Sequence, residues 1–260
     1  MKDLLLTIDI GNTHTVLGFF RRKELVAHWR LTSSVNRTED ESWMMVRLFC
    51  ESSHFQADEI AGVVISSVVP NLTPIFAEMA RNYMGLEPLI VSSTLKLPIR
   101  IAYENPRSVG ADRICDAVAG FHSYGGPLII VDLGTATTFD VISEKGDYLG
   151  GAIAPGIETS SIDLFRRAAK LFPVQFEFPE KIIGRNTKES IQAGIMFGAV
   201  QQVDGIVRKI IEELETNRKV HVIGTGGLAN VILNRSETIE KLEPFLTLNG
   251  MRLIYENVSD

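Results

Sequence analysis

The same short loop occurs twice in this chain. Ile8-Asp9-Ile10-Gly11-Asn12-Thr13 closes an apolar run near the N-terminus. Val131-Asp132-Leu133-Gly134-Thr135-Ala136 closes another near the middle of the 260 residues. Each apolar run (4–8 and 128–131) reads as a buried strand. Each loop is followed by a second strand-like run and a polar turn: Arg21-Arg22-Lys23-Glu24 in the first copy, Glu144-Lys145-Gly146-Asp147 in the second. The repeated unit is therefore strand, Asp-x-Gly turn, strand, hairpin. A duplication of this kind predicts an α/β chain of two similar domains, 1–125 and 126–260, whose loops face each other across a cleft. Two glycine loops and two carboxylates so placed can hold a polyphosphate and its metal from both sides. The break is expected at Gly125-Gly126-Pro127, where turn residues precede the second copy.

Hydrophobic content of 45% and charged content of 22% are those of an ordinary soluble globular chain. The net charge of −6 argues against a nucleic-acid partner, because a phosphate backbone requires a basic face. No apolar run reaches the ~18 residues of a membrane span. Asp3 and Asp9 interrupt the N-terminal apolar stretch, so no signal peptide is read there and the expected location is cytoplasmic. Cys50 and Cys115 lie among apolar residues and are expected to be buried free thiols.

Along the first half, residues 4–8, 14–20 and 25–31 read as a three-stranded meander. Glu39 to Ser52 carries an apolar stripe of Trp43, Met44, Val46, Leu48 and Phe49 and reads as a helix. Residues 62–69 form a β-rich run. Asn71 is expected to cap a helix reaching Met84, a short strand covers 89–91, and 94–108 is a proline-containing loop. A helix starts at 109–113 and runs to about Tyr124. In the second half the strand-rich opening recurs at 128–153, and a helix follows Pro155-Gly156. Residues 172–186 form a loop, and the longest helix spans 187–214. A buried strand at 220–223 ends in Gly224-Thr225-Gly226-Gly227, a helix starts at Leu228, and the stretch from Phe245 to Val258 is expected to add a last strand.

Gly11 and Gly134 permit tight turns in which backbone N–H groups face phosphate oxygens. Thr13, Thr135, Thr137 and Thr138 can add hydroxyl contacts. Asp9 would repel phosphate directly, and its natural task is to hold a hydrated Mg2+. Asp132 can do the same or bind a monovalent cation. The plainer alternative for either aspartate is strand-end capping, which the duplication disfavours. Neither loop contains lysine, and the chain lacks a G-x-x-x-x-G-K-S/T loop. The cradle therefore relies on backbone N–H groups and cations. The 224–227 glycines either receive a flat nucleotide ring or let strand and helix pack closely. Asp112, beside Arg113 in the first turn of a helix, is either a general base or a complement to the helix dipole. Thr187 reads as a helix cap, and Tyr103 as a pocket or packing residue. The five histidines show no metal-binding spacing.

Taken in order, six motifs resemble those of the type III pantothenate kinases, within the acetate and sugar kinase, Hsc70 and actin superfamily. They are Asp9-Ile10-Gly11-Asn12-Thr13, Tyr103-Glu104-Asn105-Pro106, Gly110-Ala111-Asp112-Arg113, Asp132-Leu133-Gly134-Thr135-Ala136-Thr137, the segment from Gly150 to Gly156, and Gly184-Arg185-Asn186-Thr187. The resemblance implies duplicated ribonuclease H-like (actin-like ATPase) domains, each a mixed five-stranded sheet flanked by helices. It implies ATP-dependent phosphorylation of pantothenate to 4′-phosphopantothenate, the first step toward coenzyme A. It assigns ATP binding to Asp9, Ile10, Gly11, Asn12, Thr13, His14, Thr15, Val16 and Thr135, and the proton acceptor to Asp112. Pantothenate contacts fall on Tyr103, Gly110, Ala111, Asp112, Arg113 and Thr187, and a K+ or NH4+ ligand on Asp132. It further implies a homodimer. The competing readings are another kinase or phosphatase of the superfamily, such as a sugar kinase or exopolyphosphatase, and a regulatory ATP-binding module.

Overall fold

A computed structural model describes residues 3–259. In chain order its elements are β1 (Leu4–Ile10), β2 (His14–Arg21), β3 (Glu24–Thr32), α1 (Glu39–Ser52), β4 (Ile60–Ser67), α2 (Thr73–Met79), β5 (Leu89–Ile90), β6 (Arg100–Ile101), α3 (Ala111–Tyr124), β7 (Leu128–Leu133), β8 (Ala136–Ile142), β9 (Asp147–Pro155), α4 (Ile157–Arg167), α5 (Thr187–Glu213), β10 (His221–Thr225), α6 (Ala229–Leu233), β11 (Lys241–Leu242) and α7 (Leu246–Ser259). They fold into two units, Met1–Ala119 with Leu246–Asp260, and Gly120–Phe245.

The first unit holds a five-stranded sheet in the order β3-β2-β1-β4-β5. β1 pairs antiparallel with β2 and parallel with β4. Leu4, Leu6, Ile8 and Ile10 alternate along β1 and are fully buried, with Leu17, Phe19, Val63 and Ile65 beside them. The second unit repeats the topology. Its five strands run β9-β8-β7-β10-β11, in a sheet of six strands in all. β7 is antiparallel to β8 and parallel to β10. The expected duplication is thus realised strand for strand, although the second sheet has one strand more than the five expected. The core of this unit joins Ile129, Val131 and Phe139 to Met196, Val200, Val203 and Val207 of α5.

Several expectations are corrected. The segment from Phe245 to Val258 is the helix α7, not a strand. Its buried residues Leu246, Gly250, Met251 and Ile254 recur at helical spacing. Gly250 reads as a helix breaker, but it meets α3. A Cβ there would lie 2.0 Å from the Cys115 carbonyl oxygen. Thr247 Oγ1 also donates to Asp116 Oδ1 at 2.7 Å, so α7 braces α3 within the first unit. The units therefore differ from a division at 125/126: α7 returns to the first, and the crossing falls inside α3.

α1 is bounded as expected and starts with a capping box. Glu41 N–H donates to Thr38 Oγ1, and Thr38 N–H to Glu41 Oε2. Its buried face is Val46, Phe49 and Cys50, whereas Met44 and Leu48 are 70% and 53% exposed because they lie about half a turn away. Leu72, not Asn71, occupies the N-cap of α2 and makes no side-chain cap bond. Asn186, not Thr187, caps α5 by accepting from Glu189 N–H at 2.9 Å. Cys50 and Cys115 are buried free thiols.

Candidate active site

In the first unit the loop between β1 and β2 is closed from within. Gly11 N–H donates to His14 O at 3.0 Å, so this amide shapes the turn instead of facing outward. Asn12, Thr13 and His14 are exposed at the tip, while the Ile10 and Thr15 side chains point into the core. Val16 lies opposite Asp9 in the β-ladder.

Asp9 stands one residue before the end of β1, beside Ser66 of the parallel strand β4. Ser66 Oγ donates to Asp9 Oδ1 at 3.0 Å. Burial, then the nearby negative charge of Asp112, pushes Asp9 up to about 7, and the Ser66 hydrogen bond opposes that rise. Asp112 lies in the first turn of α3, as expected, with Oδ1 accepting Arg113 N–H at 2.8 Å. Burial raises its proton affinity, and the Arg113 backbone and charge lower it. Gly110 gives the carboxylate room, since a Cβ there would lie 2.5 Å from Asp112 Oδ1. Ala111, the first residue of α3, is buried. The structure thus brings Asp9 and Asp112 into one electrostatic neighbourhood. The Cys115 thiol beneath them is held protonated, mainly by burial, and adds no further negative charge. Tyr103 lies in the exposed stretch after β6.

The second unit has an equivalent loop. Asp132 again stands one residue before the strand end, opposite Thr138 of β8 and Thr225 of β10. Gly134 N–H donates to Ala136 O at 3.1 Å, closing this turn too. Thr135 O accepts from Gly156 N–H at 3.2 Å and Thr159 Oγ1 at 2.7 Å, which ties the loop to the start of α4. Gly226 has φ of +92°, and a Cβ there would sit 2.2 Å from Asp132 Oδ1. Of the 224–227 glycines, Gly226 therefore lets the strand end pack closely on Asp132, whereas a Cβ at Gly224 would meet Ile239 and one at Gly227 would meet open space. Gly226→Ala is expected to destabilise the protein by about 1–3 kcal/mol through left-handed strain and crowding. Thermal unfolding checks this, and an unchanged melting temperature would contradict the close approach.

Thr187 lies elsewhere in this unit, on a cavity of about 810 Å3 between α4 and α5. Its lining includes Pro155, Arg185, Asn186, Ser190 and Gln202. Gly194 and Gly198 also line it, and a Cβ at either would meet open space.

Among the described residues no group of three or more His, Cys, Asp or Glu side chains forms a metal cage. A cation here would need ligands beyond such side chains, as phosphate oxygens or water can supply.

The family model of type III pantothenate kinases matches residues 5–209. The chain belongs to the type III pantothenate kinase family. A type III pantothenate kinase of Moorella thermoacetica is 48% identical over 253 residues, covering 97% of this chain and 99% of that protein. A type III pantothenate kinase of Geobacillus kaustophilus is also 48% identical, with 97% of each chain covered. Among solved structures, the ROK hexokinase of Thermus thermophilus matches at TM-score 0.55 and 14% identity, covering 99% of both chains, which shows a shared fold. That fold, two mixed sheets flanked by helices, is the one the family resemblance implied.

Two residues of this type III pantothenate kinase family member escaped the sequence reading. Ser66 is a buried hydroxyl inside an apolar strand, and its placement opposite Asp9 needs the β1–β4 register. Ser33 touches the first loop only because β3 returns along β2.

Proposed function

We propose that this protein transfers the γ-phosphoryl group of ATP to pantothenate, giving 4′-phosphopantothenate and ADP. Family membership over nearly the whole chain carries the reading. The placement of Asp9 and Asp112 supports it. Asp112 is the proton acceptor: as the substrate's primary hydroxyl oxygen attacks the γ-phosphorus, its proton passes to the carboxylate and the bond to the β-phosphate oxygen breaks. The exposed loop tip around Asn12, Thr13 and His14 receives the phosphates, with Thr135 of the second loop as a further ATP contact. Tyr103, Gly110, Ala111, Arg113 and Thr187 are the pantothenate contacts. Arg113 at a helix start suits the substrate carboxylate.

A kinase of this family uses ATP with a divalent metal, and we assign Mg2+ to Asp9. The carboxylate fits a cation: it is largely buried, accepts from Ser66 Oγ, lies near the negative charge of Asp112 and has no lysine in its loop. Bound Mg2+ would neutralise phosphate charge as it develops. Asp132, closely approached by Gly226, is the proposed K+ or NH4+ ligand. The reading also carries a homodimer and a cytoplasmic location. Among the described residues no helix is long and apolar enough to cross a membrane.

The test is ADP release by purified protein with ATP, Mg2+ and pantothenate, in K+ or in Na+. Turnover that requires pantothenate and rises with K+ is the expected result. Folded protein with no pantothenate-dependent release in either salt would turn the assignment toward a sugar kinase or a regulatory ATP-binding module.

A further inference from the structure

We propose that Ser33 is a positioning residue for the first phosphate loop, fixing the backbone of residues 11–13 in the shape that receives ATP. The inference rests on the ATP-kinase reading above. Ser33 follows directly on β3, whose last residue, Thr32, pairs with His14 of β2. From there it grips both sides of the turn. Ser33 N–H donates to Thr13 O at 3.0 Å, and Ser33 Oγ donates to Gly11 O at 2.6 Å. The hydroxyl is itself paired with Thr15 Oγ1 at 2.9 Å, and Thr15 is fully buried.

The geometry has a chemical consequence. In a planar trans peptide, the C=O and the following N–H point in opposite directions. Drawing the Gly11 and Thr13 carbonyls toward Ser33 turns the N–H groups of Asn12 and His14 the other way. That is the arrangement an anion needs from a lysine-free loop, with carbonyl oxygens behind and amide hydrogens in front. Gly11 N–H is already committed to His14 O, so Ser33 settles the orientation of the remaining peptides. Ser33 reaches the phosphates only through this backbone.

The experiment compares Ser33→Ala and Ser33→Thr with the wild-type protein. It measures kcat, KM for ATP, KM for pantothenate and melting temperature, together with binding of a non-hydrolysable ATP analogue and Mg2+ by equilibrium dialysis. One lost hydrogen bond to the loop predicts a rise of about tenfold in KM for ATP and in the analogue's Kd for Ser33→Ala. KM for pantothenate should stay within about twofold, and Ser33→Thr, which keeps the hydroxyl, should restore ATP affinity. Unchanged ATP affinity in Ser33→Ala would overturn the proposal. So would a fall in kcat with both KM values shifted together and a lowered melting temperature, since that is general destabilisation. If Ser33→Ala does not fold, Ser33→Cys is read by the same criteria. If the wild type shows no pantothenate-dependent turnover, the kinase reading fails, and a tenfold loss of analogue binding in Ser33→Ala still upholds the clamp.

Discussion

Asp112→Asn is expected to lower kcat by about 10²- to 10⁴-fold, the usual contribution of a positioned general base. The fold should survive. Asparagine keeps a side-chain oxygen that can accept Arg113 N–H, as Asp112 Oδ1 does at 2.8 Å. It also fits the space beside Gly110. Stability should not fall at neutral pH, and the sign follows from the raised proton affinity of Asp112. A carboxyl whose folded pKa lies above its unfolded value loses stability as pH rises from the unfolded toward the folded value, and it carries the full cost above both. A neutral amide removes that cost. Steady-state ADP release at saturating ATP and pantothenate, with a melting curve at pH 7.5, checks both parts. A variant that turns over near the wild-type rate would remove Asp112 from the proton-transfer role, whatever its stability.

The duplicated Asp-x-Gly loop made the architecture legible because each copy sits at the end of an apolar strand. Strand period and turn chemistry are local properties that a sequence exposes directly. The antiparallel run β1-β2-β3 and its repeat β7-β8-β9 follow from that one feature, whereas the parallel addition of β4 and β10 is seen only in the fold. α7 was not legible in the same way. Asn249 and Gly250 argue against a helix, but the small residue is there for the close approach to the Cys115 carbonyl, a long-range packing fact. The stripe on α1 failed for a related reason. Met44 and Leu48 are apolar at helical spacing, and only the tertiary structure shows which face the core takes. At the site, residue type and loop context singled out Asp9, the role of Asp112 was open until the family resemblance assigned it, and their neighbourhood could only be seen in the fold. Ser33 and Ser66 had no local signal. A serine after a strand and a serine within one are unremarkable until the ladder sets each against the loop.

Asp9→Asn is expected to abolish most turnover and, in protein free of nucleotide and metal, to raise stability in a pH-dependent way. Asp9 is pushed from an ordinary carboxylate value to about 7, first by burial and then by the charge of Asp112. Between roughly pH 4 and pH 7 the folded protein retains a proton that the unfolded chain has released. Wild-type stability therefore falls as pH rises through that window and levels off above it. Allowing for solvent screening, the cost at pH 8 is about 1–3 kcal/mol. At about 2–4 °C per kcal/mol for a domain of this size, Asp9→Asn should melt several degrees above wild type at pH 8. The gap should narrow as pH falls toward 4, where folded Asp9 is protonated and the unfolded carboxyl is about half protonated, and close below that. Turnover should nevertheless drop by at least about 10²-fold, because an amide gives Mg2+ no charged ligand. Melting curves from pH 4 to pH 8 and ADP release at several Mg2+ concentrations test the two halves separately. A variant less stable than wild type at pH 8 would mean that Asp9 supports the β1–β4 pairing through Ser66 more than its buried charge opposes folding. The combination of higher stability and lost turnover would identify a carboxylate that the fold tolerates at a cost and the reaction requires.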